Sequence, residues 1–152
     1  MFICNSFALK ELSENENIPV SETFEFTQRL ESLLEQTRSH KDSDIIASHY
    51  MSGLASLCIK QNNDGKKYCS KETFERARLV AENPRYKNDD EIIDCYATIL
   101  IYQTDFSNLD EVRSALKLLT DISNRPNFLD DEFFSYHYNL MKQIIENEGL
   151  KT

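Results

Sequence analysis

Three histidines (His40, His49, His137) and four cysteines (Cys4, Cys58, Cys69, Cys95) are the residues from which this chain would have to build nucleophilic or metal chemistry. Zinc sites take Cys and His ligands at short paired spacings. Here no Cys-x-x-Cys, His-Glu-x-x-His or Glu-x-x-His occurs, so the reading is no metal and no cofactor. A Cys–His or acid–base pair assembled between helices is the enzymatic alternative, because such partners meet in space and not along the chain. His49 falls near an apolar face and His137 among tyrosines, positions that suit hydrogen-bonded structural histidines. Phosphate-cradling loops need clustered glycines, whereas Gly53, Gly65 and Gly149 are scattered. The expectation is no catalytic residue. Cys58 and Cys95 lie in apolar stretches, where a free thiol packs as a small hydrophobe. The Cys58–Cys69 spacing would close a loop only in an oxidising compartment.

Carboxylates are the abundant polar groups, and they pair at Asp89-Asp90 and in Asp130-Asp131-Glu132. Both clusters open helical segments, where the helix dipole favours anions, so no acid–base role is needed to explain them. The stretch 127–138 is richer in aromatic residues than one amphipathic helix can turn inward. Neighbours Phe133 and Phe134 point about 100° apart on a helix, which turns one of them outward. Exposed aromatics ringed by acids suit an interface hot spot facing a basic partner. Phe128, Asp130, Asp131, Glu132, Phe133 and Phe134, with Asp89 and Asp90, are the candidate partner-binding residues.

Charge points the same way. The net charge is −9 over 152 residues, and residues 89–152 alone carry −8. Such a surface is a poor match for nucleic acid or an anionic membrane and a better one for a basic protein. The middle of the chain is basic (Lys60, Lys66, Lys67, Lys71, Arg76, Arg78, Arg85, Lys87), with Tyr68 and Tyr86 nearby. It lacks the interleaved aromatics of a nucleic-acid platform, so internal pairing or solvation is expected of it.

The elements that must position these residues read as all-α. Six segments show a 3.6-residue apolar period: about 21–38, 43–61, 71–82, 89–103, 109–123 and 130–148. Ser21, Ser70, Asn88 and Asn108 stand as N-caps. Stops fall at Asn62-Asn63-Asp64-Gly65, Asn83-Pro84, Asn124-Arg125-Pro126 and Gly149. The segment around Ile92–Tyr102 is apolar almost all round and is expected at the centre of the fold. Residues 1–20 read as loosely ordered, or as one short helix at 7–12, and 21–152 as a single helical domain. With no basic start before an apolar run and no stretch of the ~20 apolar residues that span a bilayer, the expected location is cytoplasmic.

Apolar helices alternate with amphipathic ones that end at proline, at an offset of 38 residues for Phe74 to Val112 and for Ala77 to Ala115. Phe74-x-x-Ala77 followed by Pro84, with Leu54 and Leu57 in the helix before, resembles the tetratricopeptide-like class of helical repeats over about 45–126. Cys58 stands where that family has a small glycine and Gln61 where it has an aromatic. The second unit keeps Ala115 and a displaced Pro126. The resemblance implies stacked antiparallel hairpins that present a surface to other proteins; an irregular bundle is the other arrangement open to these helices. The functional expectation is a non-catalytic inhibitor or immunity-type protein masking a basic partner such as a toxin. Alternatives are a helical-repeat chaperone or adaptor for a secreted protein, the enzyme above, and a module that associates with a copy of itself.

Overall fold

Helix is the sole regular structure among the described residues, as the periodicity and the scarcity of glycine predict. The computed structural model describes residues 1–63 and 70–150. The stop residues Asp64 and Gly65, the basic Lys66 and Lys67, Tyr68 and Cys69 lie outside the described residues. The chain divides into two compact units, Met1–Tyr102 and Gln103–Thr152.

The first unit holds α1 (Phe2–Glu14), α2 (Val20–Gln36), α3 (Ser43–Asn63), α4 (Lys71–Ala81) and all but the last residue of α5 (Asp90–Gln103). Helix α3 is its hub. It buries Ile46, Ala47, Tyr50, Met51, Leu54, Leu57 and Cys58, and α1, α2 and α4 all pack on it. Gly53 makes the close approach possible. A Cβ there would lie 3.0 Å from Leu30 Cδ1 and 3.5 Å from Ser13 Oγ and Thr27 Cγ2. Leu54, Leu57 and Ala77, which carry the repeat resemblance, are fully buried in this unit. Helix α5 is core as expected, with Ile92, Ala97, Ile99 and Leu100 buried. It meets α4 through Tyr96 stacked on Phe74 and α3 through Cys95 Sγ, 3.8 Å from Ser52 Oγ.

Residues 2–14 form a helix where the sequence suggests loose order or one short helix at 7–12. Its apolar residues surround the axis and give no period, and the face it buries carries Ser6 and Ser13. Each serine hydroxyl donates back to its own helix, to Ile3 O at 3.0 Å and Leu9 O at 2.8 Å, which leaves no bare polar group inside. Ser70 caps α4 as expected, accepting from Glu72 N–H. The α5 cap is Asp89 and not Asn88, since Asp89 Oδ1 accepts from Ile92 N–H. Helix α2 begins behind Pro19 with no side-chain cap, so Ser21 lies inside its first turn.

The connections are fastened by side chains. Arg85 reaches from the α4–α5 loop to Asp44 Oδ1 at 2.8 Å and to the carbonyls of Arg38 and His40. Tyr86 and Ser43 share a buried 2.6 Å hydrogen bond. Gln61 accepts from Ser70 N–H and Thr73 Oγ1, tying the end of α3 to the start of α4. Cys58, expected as a free thiol, is disulfide-bonded.

The second unit holds α6 (Leu109–Ser123), a 3₁₀ turn (Phe128–Asp130) and α7 (Glu132–Leu150). Asn108 caps α6 by accepting from Asp110 and Glu111 N–H. Asn127 takes the left-handed conformation, φ 65°, a geometry asparagine tolerates. It turns the chain so that Phe128 stacks on Phe134, with ring centroids 4.5 Å apart and planes 11° from parallel. Val112, Ala115, Leu119 and Met141 complete the buried apolar set.

Candidate binding faces and polar networks

Phe128 and Phe134 are buried and stacked on each other, so the expectation that they face a partner is corrected: they are the core of the second unit. Asp131 caps α7, its Oδ1 accepting from Phe133 N–H at 2.9 Å and Phe134 N–H at 3.2 Å. Asp89 does the same work on α5 in the first unit. Asp90, Asp130 and Glu132 are exposed, and Phe133 is half-buried, edge-on to Phe134. The most exposed aromatic ring in the second unit is Tyr136, 63% exposed, one turn after Glu132; Leu129 is exposed in the 3₁₀ turn. The sequence pattern contained this choice, since positions 132 and 136 share a helical face, but neighbouring rings on α7 looked equivalent.

His137 sits among rings, 4.5 Å from Phe133, 5.0 Å from Tyr136 and 6.0 Å from Phe106. Its Nδ1 lies 2.8 Å from the Phe133 carbonyl, which only accepts, so Nδ1 carries the proton.

In the first unit His49 Nδ1 lies 2.7 Å from Ser6 Oγ. Burial and then the nearby Lys10 charge lower its pKa from the ordinary 6.5. Ser6 is fully buried and directs its one proton at Ile3 O, which leaves His49 Nδ1 as the donor to Ser6 Oγ. A base that would activate this serine needs the opposite arrangement. Burial pushes the Cys95 thiol up to about 11, away from the thiolate a nucleophile requires.

The polar network that the sequence did not expose lies in a cleft of about 470 Å³ between α2, α3 and α4. Tyr50 donates its hydroxyl to Glu31 Oε2 at 2.5 Å, and Arg76 Nε–H reaches the same oxygen at 2.9 Å. Arg76 also donates to Thr27 Oγ1, and its guanidinium lies 5.5 Å from the Phe24 and Tyr50 ring centroids. Burial works against the Glu31 charge, but the bonds from Tyr50 and Arg76 prevail and hold the carboxyl below its ordinary 4.5. Burial, and then the bond to Glu31, pushes the Tyr50 phenol far above its ordinary value. Other members of the basic middle are paired as well: Arg78 with Glu75 and Glu82, and Arg85 with Asp44.

Among the described residues no three metal-ligating side chains converge, and no helix is long and apolar enough to cross a membrane. In comparisons with known proteins the chain matches no family model, no curated protein and no solved structure.

Proposed function

We propose that the chain is a binding protein without a chemical step, an inhibitor or immunity-type protein that masks a basic partner such as a toxin. The observation that carries this reading is on α7 of the second unit, where exposed Tyr136 follows exposed Glu132 by one turn; Leu129 and Asp130, just before the helix, are exposed as well. A flat ring one helical turn from a carboxylate can receive Arg or Lys side chains by cation–π contact and ion pairing together. Residues 103–152 hold five Lys and Arg against nine Asp and Glu, and this −4 adds long-range attraction, which speeds encounter and is screened by salt.

The test is capture of partners on the immobilised chain at low and high salt. A basic protein retained at low salt and lost to the Tyr136→Ala, Glu132→Lys variant supports masking. Equal retention by wild type and variant would reject this face. A second reading, a helical-repeat chaperone or adaptor, draws on the α2–α3–α4 cleft. Leu34, Leu79 and Val80 line it, and its charges are already paired. That reading expects capture to survive the variant and to fail with Leu79→Glu. An enzymatic role would show as loss of function on conservative substitution of His49, His137 or the cysteines.

A further inference from the structure

Helix α1 buries two serines and leaves several apolar residues exposed. Ser6 and Ser13 are fully buried, while Met1, Cys4, Phe7, Ala8 and Leu12 are exposed, Phe7 by 51% and Leu12 by 40%. At about 100° per residue Met1, Cys4, Ala8 and Leu12 fall in one stripe, and Phe7 lies apart from it on the side of His49. The stripe adjoins a groove of about 440 Å³ walled on the α2 side by Arg29, Ser32, Leu33 and Gln36.

We propose that this stripe docks a second copy of the chain, α1 against α1, with the two helices parallel. The charges on either side of the stripe select the occupant and its direction. Arg29 flanks the stripe on the α2 side, and its guanidinium has no ion pair among the described residues. Glu11 flanks the opposite side, held by Lys10 at a long 3.6 Å. A two-fold axis running along α1 brings Glu11 of each copy against Arg29 of the other, so the pair forms twice. An axis across α1 would set Arg29 on Arg29 and Glu11 on Glu11, and like charges there repel. In the parallel register Cys4 faces Cys4 and Ala8 faces Ala8, small side chains that let the helices close. A 13-residue helix is about 20 Å long, so the interface is small and the dimer weak.

Sedimentation equilibrium of the full chain, from roughly 10 μM to 1 mM, should show a reversible monomer–dimer transition. Glu11→Arg and Arg29→Glu should each weaken it about tenfold or more, and the double variant should return it to within about threefold of wild type. Both positions are exposed, and circular dichroism establishes that the variants stay folded. Diamide, taking up the two thiol hydrogens, should join Cys4 to Cys4 at dimer-forming concentrations, as peptide mapping would read. A chain monomeric throughout the range overturns the proposal. So does a double variant no better than the singles, or a dimer that Cys4 does not cross-link.

Discussion

In the unit Met1–Tyr102 four helices gather around α3, and polar groups are pinned within the packing: Ser6 to His49, Tyr50 to Glu31 and Arg76, Tyr86 to Ser43. In the unit Gln103–Thr152 two helices and a turn close around one aromatic stack, Phe128 on Phe134, and the acids nearby are caps or exposed. The first unit commits its polar residues to holding helices together. The second commits aromatic residues to the core and leaves Tyr136 and the acids of its first turn available. The proposed masking role rests on the second unit, where exposed Tyr136 follows exposed Glu132 by one turn.

The contrast breaks most directly if the stack is dispensable. Phe134→Ala should cost about 3–5 kcal/mol, and Leu100→Ala in the first unit about 2–5 kcal/mol, by urea denaturation. A loss below about 1 kcal/mol for Phe134→Ala would show that the stack does not hold its unit. Next comes pH. The lowered pKa of Glu31 adds stability that is complete above 4.5 and is lost as pH falls through the folded value. Glu31→Gln should therefore lower Tm at neutral pH and flatten its decline below about pH 4.5; an unchanged decline would mean the carboxylate is not held by Tyr50 and Arg76.

Smaller effects sharpen the comparison. Tyr96 buries a hydroxyl that has no hydrogen-bond partner among the described residues, and burial raises its phenol to about 12. Tyr96→Phe should be neutral or stabilising, within about 1 kcal/mol, whereas Tyr50→Phe should destabilise by about 1–3 kcal/mol through the bond lost to Glu31. Tyr136→Ala should change stability by less than about 0.5 kcal/mol, since the ring is exposed. Alkylation without reductant should label Cys4 first and Cys95 slowly, and should spare Cys58, as mass spectrometry can follow.

Much of this was legible before the structure. Ser70, Asn108 and the apolar faces of Leu54–Leu57 and Val112–Ala115 predict their helices because a cap followed by a 3.6-residue period has one local solution. Of helix α1 only a short piece at 7–12 was legible, since its inward face is serine and its apolar residues surround the axis. The start of α7 shifted by two residues because Asp130 and Asp131 are equivalent caps by type, and the left-handed Asn127 decides between them. For the candidate face, the acids were readable and the ring was not: the stack that hides Phe134 forms with Phe128, across a turn whose geometry no periodicity encodes. The Glu31–Tyr50–Arg76 network joins residues up to 45 apart, beyond any local pattern.

The measurement that bears most directly on the masking proposal is the association rate of the captured basic partner with wild type and with Tyr136→Ala, Glu132→Lys, from low to high salt. The proposal predicts a wild-type rate that falls steeply with salt and a variant that binds slowly and releases fast. A wild-type rate independent of salt, with the variant binding equally well, would contradict it.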